Sequence, residues 1–414
     1  MYFFRLLPLF FLILFSCKSA RESGESENEA LRKKAEELAD KFILTDGHVD
    51  MPYRLRVKHF RLEREYLEIP VQSHEGDFDY ERAKKGGLDA PFMAIYIPWR
   101  EQLKPDMGKI LADSLIDMVR GIASAHPDKF ALANTPADII ANTAAGKLSL
   151  PMGMENGAPI GNDITNVEYF FNRGIRYVTL THSKDNQICD SSYDTDPDRW
   201  NGLSPFGEEV VREMNRVGIM VDISHVSDST FYDVIRISSA PVIASHSSCR
   251  KYTPGFQRNM SDDMIRKLAE KGGVIQINFG ASFIDSVARK NQDLLDSLEK
   301  VLREKGLTSR DEAAKSIIDE FTDDHRELYS DVERVADHID HVVKLVGIDY
   351  VGLGSDFDGV GDTLPVGLKD VSQYPNLIFV LLKRGYTEEQ IEQICSKNVF
   401  RVWNKVIEVA AASG

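Results

Sequence analysis

One alternation runs along the whole chain and limits the folds open to it. Eight short apolar runs, most of them entered through Gly or Pro, lie at 41–50, 88–98, 147–155, 174–182, 218–225, 241–246, 272–279 and 350–358. Helical periodicity separates most of them, at about 106–125, 164–172, 205–217, 228–237, 261–271 and 331–346. A strand followed by a helix and then another strand implies parallel pairing, and eight such units fit a closed (β/α)8 barrel. A length of 414 residues would ordinarily point to two or three domains, but a barrel with insertions accommodates it as one. The excess over a minimal barrel is a polar segment at 54–87, a charged helical insertion after the seventh strand at 282–330, and terminal helices over 377–411. An amphipathic helix over 31–40 leads into the first strand.

The strand ends carry the chemistry. The first run closes on His48-Val49-Asp50, and alternate residues of an extended strand share a face, so the imidazole and the carboxylate point the same way. The third ends in Glu155, the fourth in His182, the fifth in His225, the sixth in His246 and the eighth in Asp356. In a barrel these ends converge on one face. Any one of them alone reads most simply as a buried polar group capping a strand; six together point to a metal site. Imidazole and carboxylate without clustered thiolate suit zinc and permit manganese, cobalt or iron. The donors outnumber what one zinc takes, so two metals sharing a carboxylate fit better, about 3.5–4 Å apart around a bridging hydroxide.

The N-terminus is of another kind. Residues 1–16 are almost unbroken apolar sequence after Arg5, too short to span a bilayer, and read as a signal peptide. The ending Leu14-Phe15-Ser16-Cys17 resembles a bacterial lipoprotein signal, which implies cleavage before Cys17, lipidation of its thiol and a place in the cell envelope, anchored to the membrane outside the cytoplasm. An ordinary secretory signal with an incidental cysteine is the alternative. Residues 17–30 then form a flexible polar tether, and 31–414 one barrel domain. A net charge of −15 argues against a nucleic-acid partner. Beyond Cys17 the chain has Cys189, Cys249 and Cys395, too few for a disulfide scaffold, and buried free thiols are expected.

Taken in order, Asp46-Gly47-His48-Val49-Asp50-Met51-Pro52, Met154-Glu155-Asn156-Gly157, Leu180-Thr181-His182-Ser183, Asp222-Ile223-Ser224-His225, Ala244-Ser245-His246-Ser247, Arg258-Asn259 with Asp262-Asp263, and Gly352 through Asp356-Phe357-Asp358-Gly359 resemble the membrane (renal) dipeptidase family of zinc metallopeptidases, peptidase family M19. The resemblance runs from about 43 to 405. It implies hydrolysis of short peptides, dipeptides above all, by a hydroxide bridging two Zn2+ ions, with D-residues tolerated at the C-terminal position. His48 and Asp50 would bind the first metal, Glu155 would bridge both, and His225 and His246 would complete the second. His182 would help hold the oxyanion, Arg258 would take the substrate's terminal carboxylate, and Asp356 would pass the proton to the leaving amine. Tyr53, where the family carries an aromatic, is counted with the substrate contacts. A homodimer is the expected assembly. The family usually carries Gly-Gly-Gln-Phe-Trp on strand two, where this chain has Asp89-Ala90-Pro91-Phe92-Met93, and Gly where it has Asn156. These departures and the insertion bear on the side-chain pocket.

Two other functions are open to a barrel of this kind. A deaminase or lactonase on a related barrel would more often open with His-x-His and bridge its metals with a carbamylated lysine at the end of strand four. A non-catalytic, peptide-binding lipoprotein would not need a full ligand set. His338 and His341, three apart on a helical pattern, are expected to be structural, Cys249 a loop thiol, and Asp358 a turn residue. His59, His74, His126 and His325 sit in polar surroundings and are expected to be solvated.

Overall fold

The computed structural model describes residues 10–57, 70–73, 75–194, 196, 199–308, 311–324, 329–361 and 363–413. Eight parallel strands form one sheet: β1 Leu44–Val49, β2 Leu88–Tyr96, β3 Met152–Glu155, β4 Ile175–Thr179, β5 Met220–Asp222, β6 Ile243–Ser247, β7 Val274–Ile277 and β8 Val351–Leu353. They neighbour one another in chain order. The sheet closes where Asp50 N donates to Phe357 O at 2.8 Å and Asp356 N donates to His48 O at 3.1 Å. This is the expected (β/α)8 barrel, with helices such as Met107–Ala125, Pro205–Val217, Asp228–Ile237 and Val332–Val346 packed around it.

One expectation needs correcting. The run at 147–155 is not one strand. Leu148–Leu150 pairs with Phe130–Leu132 in a separate two-stranded sheet, and only Met152–Glu155 enters the barrel. Pro151 lies at the break, since it has no N–H to give a ladder and can only accept, as it does from Met93 N at 2.8 Å. One helix spans Phe10–Lys41 and takes in 17–30. That stretch holds a single Gly, no Pro and several Glu, Lys, Arg and Ala, so nothing in it stops a helix once residues 31–41 nucleate one. No helix among the described residues is long and apolar enough to cross a membrane.

The barrel interior is a column of rings. Trp403, on the terminal helix Asn398–Ser413, meets Phe92 at 5.3 Å between centroids. Phe92 meets Tyr177 at 5.5 Å, and Tyr177 meets His48 at 6.5 Å. The column needs a gap at Gly153, where an added Cβ would lie 1.9 Å from Tyr177 Cζ. A packed barrel interior therefore rises to the strand ends and supports His48 from below.

The insertion is helical as expected, with Ala281–Ile284, Ser286–Lys290, Gln292–Glu304 and Lys315–Asp324. Its outer part has its own small apolar cluster around Leu298, Leu302 and Ala314. Of the expected solvated histidines, His59, His74 and His325 lie outside the described residues, and His126 is half-buried near Phe130.

Candidate metal centre

The six strand ends bring their side chains together as the sequence implied. His48 lies in β1 and Asp50 just beyond it, Glu155 is the last residue of β3, and His246 lies within β6. His182, His225 and Asp356 each sit three residues past the end of their strands. His225 and Asp356 adopt left-handed backbone, with φ of 69° and 66°. Non-glycine residues seldom adopt this conformation, and at both positions the turn swings the side chain back over the barrel mouth.

Glu155 is the centre of the group. Its Oε2 lies 3.4 Å from His48 Nε2, which is also 3.4 Å from Asp50 Oδ2. Its Oε1 lies 3.0 Å from His225 Nε2 and 3.3 Å from His246 Nε2, and these two nitrogens are 2.9 Å apart. A tetrahedral site with bonds near 2.0–2.1 Å has ligand-to-ligand edges of about 3.3 Å. Both sides of Glu155 match that spacing. His48 Nε2 and Asp50 Oδ1, buried, have no hydrogen-bond partner among the described residues. A buried donor set with unmet lone pairs costs free energy unless a cation fills it, so the residues present fit bound metal.

The outer hydrogen bonds point the ring lone pairs inward. Tyr177 O–H donates to Gly47 O at 3.0 Å, so in its 2.8 Å contact with the same hydroxyl the His48 Nδ1 supplies the proton. Ser245 O–H donates to Asp222 Oδ2 at 2.6 Å, so His246 Nδ1–H donates to Ser245 Oγ at 2.7 Å. Each ring then offers Nε2 to the centre, the arrangement that orients histidine ligands in metal sites. Tyr177, Ser245 and Asp222 were missed as functional residues. Asp222 and Ser245 belong to the Asp222–His225 and Ala244–Ser247 motifs, and only pairing of β4, β5 and β6 gives them their roles.

Charge follows the same division. Burial pushes the Glu155 carboxyl up, but His48, His182, His225 and His246 around it hold it well below its ordinary value. Burial, with Arg258 and the neighbouring imidazoles, pushes His225 and His246 well below theirs, which keeps them neutral as ligands must be. Burial also pulls His48 down, yet Tyr177, Glu155 and Asp50 outweigh it and raise it well above. A cation bound at Nε2 would take the place of that proton and leave His48 a neutral ligand like the others. Asp356 is pushed up to about 7 by burial, with Asp50 and Glu155 adding to the rise and His48 opposing it. Its Oδ2 accepts from Asn278 Nδ2 at 2.8 Å.

Arg258 is buried beside this group. Its Nη1 donates to Ser247 Oγ at 2.7 Å and its Nη2 to His246 O at 2.8 Å, while Nε has no partner. No carboxylate among the described residues neutralises it. His182 Nε2 lies 3.6 Å from Glu155 Oε1, and its ring is flanked by Tyr96 at 4.7 Å. Tyr53 packs on Tyr96 at 4.8 Å, one ring further out. Asn156 takes φ of 83°, a conformation that favours glycine, and Asn tolerates it because its Nδ2 donates to Ile97 O at 2.9 Å.

The remaining candidates fall outside the centre. His338 and His341 are bonded elsewhere, to Ile284 O and Cys249 N, and to Asp262 and Lys251. Asp358 pairs with Arg54 Nε at 3.2 Å and accepts from Asp77 N, a turn role. Cys189, Cys249 and Cys395 are buried free thiols. β4 carries no lysine, and Lys184 beyond its end is paired with Asp194 at 2.6 Å, so the carbamylated-lysine bridge of the rival barrels has no candidate there.

The sequence model of the membrane dipeptidase family (peptidase family M19) matches residues 32–413. The dipeptidase tcpJ of Claviceps purpurea is 32% identical over 374 residues, spanning 89% of this chain and 78% of its own. An uncharacterised dipeptidase, C965.12, of Schizosaccharomyces pombe is 33% identical over 399 residues, 93% of this chain and 85% of its own. Among solved structures, the probable dipeptidase PvdM of Pseudomonas aeruginosa superposes with a TM-score of 0.75 at 25% identity, covering 92% of this chain and all of that one. A metallopeptidase from Rhodobacter sphaeroides, solved with a phosphinate mimic of L-Ala-D-Ala, superposes with a TM-score of 0.71 at 26% identity, covering 88% of this chain and 99% of that one. On these matches, along the length of a barrel whose strand ends carry the metal-type ligands, the chain belongs to the membrane dipeptidase family, peptidase family M19.

Proposed function

We propose that this metallo-dipeptidase works with two zinc ions, one held by His48, Asp50 and Glu155 and the other by Glu155, His225 and His246. The division of Glu155, one oxygen to each side, is the observation that carries the reading. Imidazole and carboxylate donors without thiolate favour zinc. When bound, such a pair activates water and polarises the peptide carbonyl. The chain's own residues do the rest. Arg258, buried and without a carboxylate, holds the substrate's C-terminal carboxylate through its planar fork. His182, beside Glu155, donates to the carbonyl oxygen as negative charge develops on it. Asp356, held by Asn278, takes the proton from the attacking water and returns it to the departing amine. Tyr96 and Tyr53 line the side beyond His182 and exclude water there.

Tolerance of a D-residue at the C-terminal position is part of the proposal. The Rhodobacter sphaeroides relative, solved with a mimic of L-Ala-D-Ala, supports it. Cleavage before Cys17 and lipidation there would hold the enzyme at the membrane outside the cytoplasm, a reading supported by Leu14-Phe15-Ser16-Cys17. Detergent-phase partition of the full chain, lost in Cys17→Ser, tests that part.

The central test is direct. Purified protein is assayed for metal content and for hydrolysis of L-L and L-D dipeptides, before and after chelation and zinc return. Two zinc equivalents and chelator-sensitive turnover are expected. Protein holding two equivalents that cleaves no dipeptide would refute the reading, as would full activity in Glu155→Gln.

A further inference from the structure

A second arginine stands at the edge of the substrate face with no partner of its own sign-complement. Arg289, in the short helix Ser286–Lys290, places Cζ 3.5 Å over the Phe256 ring and is otherwise exposed. No carboxylate among the described residues pairs with it.

Phe256 belongs to a wall of three rings. It faces Tyr193 at 5.9 Å and Phe283 at 5.7 Å. Tyr193 lies 5.8 Å from the His225 ring, and Phe283 lies 5.4 Å from Arg258 Cζ. The wall therefore runs from the metal-side His225, past Arg258, out to Arg289. Tyr53 and Tyr96 stand by His182 instead. A dipeptide with its terminal carboxylate on Arg258 would lay its C-terminal side chain along Phe283 and Phe256, ending under Arg289.

The mount of Arg289 is rigid. Asp285 Oδ1 caps the helix by accepting from Val287 N at 2.7 Å, and its Oδ2 pairs with Arg334 Nε at 3.1 Å. The preceding Ile284 is buried, and its carbonyl accepts from His338 Nε2 at 2.9 Å. A guanidinium stacked on a ring keeps its edge free for a carboxylate, with less side-chain entropy to lose than an unsupported one.

We infer that Arg289 is a specificity-determining residue that reads an acidic side chain on the C-terminal residue of the substrate, so that aspartyl- and glutamyl-ended dipeptides are preferred. This rests on the dipeptidase reading and on Arg258 holding the terminal carboxylate. The α-carboxylate already has its arginine; the second cation answers a second anion.

The test compares acids with their neutral isosteres on the zinc-loaded, full-length enzyme. kcat/KM is measured for Ala-Glu against Ala-Gln and for Ala-Asp against Ala-Asn, with the C-terminal residue in both stereochemistries. The wild type is expected to favour the acid by on the order of tenfold, mainly through KM, about the worth of one charged contact of ~1.4 kcal/mol. Arg289→Met keeps the apolar stem on Phe256 and should bring the ratio near one; Arg289→Lys should restore part of it. A merely structural arginine would lower both members of each pair together and leave the ratio alone. Equal rates on acid and amide in the wild type, or an unchanged ratio in Arg289→Met, overturn the inference while leaving the dipeptidase reading intact. No turnover on any peptide overturns both.

Discussion

Replacing His338 by glutamine should flatten the acid limb of this protein's stability curve. His338 is fully buried on the helix Val332–Val346. Its Nδ1 accepts from Cys249 N at 3.0 Å, so the ring proton is on Nε2, which donates to Ile284 O at 2.9 Å. The ring thereby buckles the loop that leads to Arg258 onto the root of the insertion. Burial, with Arg334 and His341 nearby, lowers its pKa from 6.5 to about 3. Protonation would aim an N–H at the Cys249 N–H. The folded value lies below the unfolded one, so the unfolded chain binds the proton more readily and stability falls as pH falls. The contribution is complete above 6.5 and is lost progressively toward 3. Its full size is roughly 5 kcal/mol, at about 1.4 kcal/mol for each pH unit. Glutamine does not titrate, and can offer one donor and one acceptor to the same pair of backbone groups. Urea unfolding of both proteins, followed by tryptophan fluorescence from about pH 7.5 to 4.5, measures the difference. The wild type's margin over the variant should shrink by about 2.7 kcal/mol across that interval. His225 and His246 titrate in both proteins and cancel. Parallel curves would refute the buried-neutral assignment and the buckle built on it.

Other perturbations follow from the centre. Tyr177→Phe removes the hydroxyl that orients His48 and should weaken metal retention or activity by about 10–100-fold, read by chelator competition, with the barrel intact by circular dichroism. Gly359→Ala should abolish turnover in folded protein, because the added Cβ would lie 2.3 Å from both Asp356 Oδ1 and Asp50 Oδ2; wild-type kcat/KM in that variant would contradict the geometry. Stripping metal should lower the thermal midpoint and zinc should restore it, since a ligand at a hundred times its Kd stabilises the folded state by about 2.7 kcal/mol; an unchanged midpoint would mean that no metal is held there.

Strand, helix and ligand identity were local properties, and they were readable. Apolar runs bounded by Gly and Pro located all eight barrel strands, and His48, Asp50, Glu155, His182, His225, His246 and Asp356 stood at their ends. The failure came where a local pattern was ambiguous. Residues 147–155 read as one apolar run because Pro151 interrupts pairing without interrupting hydrophobicity.

What the sequence determined by itself was the donor set and its order along the chain, because side-chain chemistry and strand periodicity are written in neighbouring residues. What only the tertiary structure decided was which atoms face which. Glu155 shares its two oxygens between His48 and the His225–His246 pair only once four separate strands are closed into a barrel. Tyr177 reaches His48 across 129 positions of sequence, and Ser245 reaches Asp222 across 23. The ring wall that links His225, Arg258 and Arg289 joins loops after β4, β6 and β7. Contacts between distant segments depend on the register and closure of the sheet, a property of the whole fold that no local pattern records.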